Sequence, residues 1–146
     1  MKLFHKTQSK IENITKRGNF EDVFFFGESV HYLLEDWAFT YTVESDDLDF
    51  LKASEIQFQD NVEENALVVR FAEIFDLSLD DAIAVLSNDD DIASHTDDMS
   101  DETYVQVYQA KIAKSYGFDG CISEDEQGAV YMIPMFGREN LLNEVK

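Results

Sequence analysis

Hydrophobic and polar positions alternate along the first residues of the chain. In 2–6 (KLFHK), Leu3 and His5 share one side and Phe4 takes the other, a period of two that predicts a first strand. Residues 7–19 are polar, with only Ile11 and Ile14 as anchors, and Gly18 closes a loop. Residues 22–26 (DVFFF) are apolar on both faces, which predicts a second, central strand ending at Gly27. Ser29 is placed to cap a short helix to about Trp37, with Val30, Leu33 and Leu34 inward. Residues 38–43 alternate again, with Phe39, Tyr41 and Val43 on one side of a third strand, and the acids of 44–47 make a turn. The pattern over 48–56 fits neither period.

Helical spacing then takes over. Asn61 with Glu64 forms a capping box ahead of Leu67, Val68, Phe71 and Ile74, an amphipathic helix. Ser78 and Asp81 repeat the signal for a second helix carrying Leu79, Ile83 and Leu86. A polar loop containing Asn88-Asp89-Asp90-Asp91 follows. Ser100 opens a third helix with Val105, Tyr108 and Ile112 on one face, Lys111 and Lys114 near its end, and Gly117 past it. The chain closes on a hairpin. Gly120-Cys121-Ile122 runs into the acids Glu124-Asp125-Glu126, Gly128 supplies the positive φ of a tight turn, and 129–133 (AVYMI) leads out. Taken alone, three acids beside such a turn are a solvated loop. Strands at both ends with helices between them predict an α+β fold.

Length changes little in this picture: 146 residues make one domain, 1–146, with one core and no repeat or linker. Hydrophobic content of 45% with 13% aromatics belongs to a folded chain. No apolar run approaches the roughly 18 residues of a membrane span, and the start MKLFHK has no signal-peptide core, so a cytoplasmic protein is expected. A single cysteine, Cys121, rules out an internal disulfide and fits a small buried residue; His5, His31 and His95 show no metal-ligand spacing with it.

Charge changes more. Eleven basic residues against 31 acidic ones give −20, a surface that repels phosphate backbones and favours a basic partner. This excludes direct nucleic-acid binding as the simplest role and leaves solubility as the minimal explanation.

Three features stand in a telling order: His5 on the first strand, the corner Phe26-Gly27-Glu28-Ser29, and the late acids. That order resembles the NAD-dependent ADP-ribosyltransferases. The pieces LFH, FFFG and KSYGFDG…EDEQGAVY further resemble a phage anti-CRISPR family that ADP-ribosylates the type I-F CRISPR surveillance complex. The likeness covers about the first 30 and last 40 residues; 57–99 match only in acidic, helical character. It implies a split, mostly antiparallel sheet, NAD as the donor, and a basic host complex, a CRISPR–Cas effector subunit, as target. No membrane or direct nucleic-acid contact is implied, and the chain would be a monomer or weak dimer.

In the resemblance Asp125 is the acid that stabilises an oxocarbenium-like transition state. Glu126 is second, because Glu124-x-Glu126 forms a rival pair on one face of a strand. His5 would bond a ribose hydroxyl, and the backbone of Lys6 and Thr7 would hold the nicotinamide amide; relatives commonly have glycine where this chain has Lys6, so the close approach there departs from pattern. Phe26 or Tyr32 would stack on nicotinamide, and either also suits ordinary core packing. Two other classes compete. A non-enzymatic acidic inhibitor that mimics nucleic acid on a basic groove accounts for −20 but not for the order of His5 and the acids. A housekeeping α+β domain accounts for neither.

Overall fold

The computed structural model describes residues 2–7, 22–28, 39–96, 101–125 and 128–145. The expected loop over 8–19, the helix after Ser29 and the cap at Ser100 lie outside them. Seven strands and three α-helices are described: β1 Lys2–Thr7, β2 Val23–Phe26, β3 Phe39–Glu44, β4 Phe50–Lys52, α1 Ala66–Phe75, α2 Leu79–Leu86, α3 Asp101–Ser115, β5 Gly120–Asp125, β6 Gly128–Pro134 and β7 Asn143–Val145. The fold is α+β.

The strands form two sheets, one of three strands ordered β1-β3-β7 and one of four ordered β2-β6-β5-β4. Every pairing is antiparallel except β4 with β5. The sheets are joined where β1 meets β2: Phe4 and Gly27 exchange backbone hydrogen bonds of 2.8 and 2.9 Å. Residues 48–56 resolve into the short parallel strand β4 and a 3-10 turn, Ala53–Phe58, which explains why neither period fits there.

Each face of the four-stranded sheet has its own core. Val23, Phe25, Leu51, Cys121 and Met132 pack with the helices, around Phe71, Leu86 and Ile112. Phe24, Phe26, Tyr131 and Ile133 face the other way, onto Leu3 and Val43 of the three-stranded sheet. Burying each such large apolar side chain contributes roughly 1.5–3 kcal/mol. This layering corrects the expectation that β2 is central. Both its faces are apolar because layers cover both faces, yet it is an end strand in the pairing order. Strand order and face coverage are independent.

Two local expectations also change. The N-cap of α1 is Asn65, whose side chain accepts from the Leu67 amide at 2.9 Å. Asn61 sits in the left-handed region (φ 53°) and caps nothing with its side chain, because Val62–Glu64 is a separate 3-10 turn. On α2 the predicted cap Ser78 is present, accepting from the Asp81 amide at 3.1 Å. Its buried residues, however, are Ala82, Val85 and Leu86, while Leu79 in the first turn is exposed. Helix α3 buries the predicted Val105, Tyr108 and Ile112 and also Val107, Gln109, Ala110 and Ala113, being covered by α1 and α2 on one side and by β5 and β6 on the other. Gly117 ends it with φ 94°.

The hairpin forms as predicted. Asp125 pairs with Gly128 as the last rung of the β5–β6 ladder, and Gly128 has φ 125°. Cys121 is fully buried, and desolvation pushes its thiol up to about 12, so it stays protonated and inert at neutral pH.

Candidate functional site

The joint between the two sheets places His5 against β2. Its Nδ1 lies 2.9 Å from the carbonyl oxygen of Phe25. A carbonyl can only accept, so Nδ1 carries the proton and Nε2 is left as the acceptor nitrogen. Burial lowers the His5 pKa below its ordinary 6.5, and the Phe25 carbonyl offsets part of that shift. The ring is therefore neutral at pH 7. It stacks on Phe24 with centroids 4.8 Å apart and tilts against Phe26 at 5.5 Å.

Phe26 itself is 1% exposed, so its ring packs beneath His5, and the half-buried Phe24 is the aromatic with a partly open surface. Register carries the site across the sheet. Phe26 pairs with Tyr131, and Tyr131 pairs with Ile122, making one row through β2, β6 and β5. The buried Tyr131 hydroxyl donates to Glu28 Oε1 at 2.6 Å. Burial first, then the bond to Glu28 and the charges of Glu28 and Glu124, push that hydroxyl up to about 12. It remains a donor at neutral pH and holds the Glu28 carboxylate beside the corner after Gly27. A neutral histidine, the rings of Phe24 and Phe26, and Tyr131 thus come together where the sheets meet, and the Tyr131 hydroxyl holds the exposed Glu28 carboxylate beside them.

The predicted residues distribute as follows. His5 and Phe26 come together, although 21 positions separate them in the sequence. His5 lies within its strand, which runs one residue past the predicted 2–6: β1 continues through Lys6, opposite Thr40, and Thr7, opposite Phe39. Asp125 is three residues beyond Ile122 in the row shared with Phe26, about 10 Å along β5 at the usual strand rise. Glu126 and Tyr32 lie outside the described residues. Sequence reasoning missed Tyr131 and Phe24 as neighbours of the site and gave Glu28 no role. Strand alternation puts Phe24 and Phe26 on one face, but nothing in it shows that Tyr131 meets Glu28, 103 positions away.

No protein-family model matches the chain, and no curated protein matches it. Among solved structures it is similar to one described as an anti-CRISPR protein. The match has a TM-score of 0.61 and 18% identity, covering 99% of this chain and 95% of the other. At that identity the likeness is one of fold, and it extends over nearly the whole chain. Among the described residues no helix is long and apolar enough to cross a membrane, and no group of three or more His, Cys, Asp or Glu side chains could hold a metal ion.

Proposed function

We propose that the chain is an NAD-dependent mono-ADP-ribosyltransferase acting as an anti-CRISPR: it modifies a basic subunit of a CRISPR–Cas surveillance complex and so inactivates it. The observation that carries this reading is the state of His5. A neutral imidazole, anchored through Nδ1 to the Phe25 carbonyl, turns its acceptor nitrogen toward use as a ligand group beside the partly open Phe24 ring. An acceptor suits a ribose hydroxyl, and an aromatic face suits nicotinamide. The fold neighbour described as an anti-CRISPR protein supports the biological setting.

The reaction assigned to this site breaks the bond between nicotinamide and ribose. Nicotinamide leaves with the electron pair, the acceptor atom of the target bonds to the ribose carbon, and the acceptor releases a proton. Positive charge grows on the ribose at the transition state, and a nearby carboxylate stabilises it more than it stabilises the ground state. Asp125 holds that role in this reading and Glu126 is second. Lys6 and Thr7 would take the nicotinamide amide through their backbone, and Phe26 would set the His5 ring from below.

The competing reading is a non-enzymatic acidic inhibitor, favoured by the charge of −20 alone. Incubation with labelled NAD and purified type I-F surveillance complex separates the two. The transferase leaves label on a subunit of the complex at less than one enzyme per target. Stable one-to-one binding with full inhibition and no label would select the acidic inhibitor instead.

A further inference from the structure

Glu28 stands at the corner after β2, and both its backbone and its carboxylate are fixed. The preceding Gly27 exchanges backbone hydrogen bonds of 2.8 and 2.9 Å with Phe4, the residue before His5 on β1. The Tyr131 hydroxyl donates to Glu28 Oε1 at 2.6 Å. Tyr131 is itself locked. It pairs with Phe26 on one side and Ile122 on the other, and its ring stands edge-on to Phe50 with centroids 5.2 Å apart. Phe26 and Tyr131 are buried, whereas Glu28 is exposed. A surface glutamate ordinarily keeps most of its rotamer freedom. This one gives it up to the bond with Tyr131, which occupies one oxygen while Oε2 keeps its own lone pairs.

The proposed transfer leaves one proton without a recipient. The acceptor atom of the target gives it up as it bonds to the ribose carbon. In that reading His5 Nε2 is engaged by the ribose hydroxyl, and Asp125 is engaged by the positive charge growing on the ribose. The Cys121 thiol is buried and protonated. Glu28 is a carboxylate beside the His5 and Phe26 rings, held in one orientation and open to solvent.

We propose that Glu28 is the general base that takes this proton, with Tyr131 as its positioning residue, a role that rests on the transferase reading. The bond between nicotinamide and ribose breaks, and its electron pair leaves on nicotinamide. A lone pair of the acceptor forms the new bond to the ribose carbon. The acceptor's N–H or O–H proton passes to Glu28 Oε2 and from there to solvent. Charge sets the direction of approach. Glu124, also exposed, lies two residues beyond Ile122 on the same face of β5, and the charges of Glu28 and Glu124 both reach the Tyr131 hydroxyl. Two carboxylates at one edge repel the diphosphate of NAD and attract an N–H or O–H donor, so NAD leaves this edge to the target. A base in that place favours capture of the ribose by the target over capture by water.

The test incubates the full-length chain with adenine-labelled NAD and purified type I-F surveillance complex. It follows nicotinamide release, label on the complex and free ADP-ribose. Glu28→Gln keeps the shape of an exposed side chain, and its melting temperature reports that it is folded. At saturating complex it should lower label on the target roughly tenfold or more, within the range of losing a general base. Nicotinamide release should stay close to wild type, with free ADP-ribose rising to match. Tyr131→Phe keeps every negative charge and loses only the hydroxyl. It should lower kcat for transfer without changing KM for the complex, and it should add nothing once Glu28 is replaced by Gln. Unchanged label in Glu28→Gln overturns the inference. So does a fall in nicotinamide release that matches the loss of label, which would put Glu28 on NAD, or a rise in KM for the complex at unchanged kcat, which would make it a docking charge. Each of these leaves the transferase in place. Additive losses in the double variant remove Tyr131 as the positioning residue. A wild-type protein that neither releases nicotinamide nor labels the complex removes the transferase reading, and this role with it.

Discussion

His5 carries its pH dependence in its surroundings. Folded, its pKa lies below the ordinary 6.5, because the half-buried ring is stripped of water. Between the two values the unfolded chain binds a proton that the folded chain refuses, so stability falls as pH drops through about 6.5 and below. Melting temperatures of wild type and His5→Gln should converge on acidification from pH 7.5 to 5.5, since the variant lacks this linkage. Parallel curves would show that His5 contributes nothing to the acid sensitivity. Asp125 is tested by function. If the proposed transferase function holds, Asp125→Asn should lower ADP-ribosyl transfer by roughly a hundredfold, the scale of losing one preorganised electrostatic group. Under the transferase reading NAD binding should persist, because in that reading the acid acts on the transition state. Retained transfer in this variant with loss in Glu126→Gln would move the role to the Glu-x-Glu pair.

At the scale of elements, the entry to α1 separates a sequence signal from the interaction that uses it. Asn61 and Glu64 have the spacing of a capping box, but Asn65 makes the bond that starts the helix. Asn65→Ala should cost about 1 kcal/mol in urea unfolding. Asn61→Gly, at a left-handed φ of 53°, should be neutral or slightly stabilising. The opposite ranking would restore the capping box. Gly120 makes a different demand. A Cβ there would lie 2.4 Å from the Met132 carbonyl oxygen and 3.2 Å from the Phe50 ring, so β5 could not keep its register between β4 and β6. Gly120→Ala is expected to destabilise by about 1–3 kcal/mol, the usual range for forcing atoms into packed space. An unchanged unfolding midpoint would contradict that packing.

Over the whole molecule, a net charge of −20 sets a field that would steer the basic partner of the proposed function. Asp46 and Asp47 form an exposed turn, Ser45–Asp47, after β3. Under the proposed function, replacing both by Asn should slow association with the basic partner and flatten its salt dependence, while any NAD hydrolysis stays at the wild-type rate. Stopped-flow association at two ionic strengths reads the effect, and identical slopes for wild type and variant would remove steering as the role of this turn.

What was legible in the chain itself was local. The period of two in β1 and β3, the Ser78 cap, the Gly117 stop and the Gly128 turn each depend on a few adjacent residues and their backbone preferences, and each is present. The α+β class follows from their order. Long-range pairing was not legible, because alternation says which side chains share a face and is silent on what that face meets. Only tertiary structure set Phe4 against Gly27, gave His5 the Phe25 carbonyl and hence its tautomer, and delivered the Tyr131 hydroxyl to Glu28. For the same reason β2 read as central. Its sequence records burial on two faces, and the layers that bury it are built from residues far along the chain.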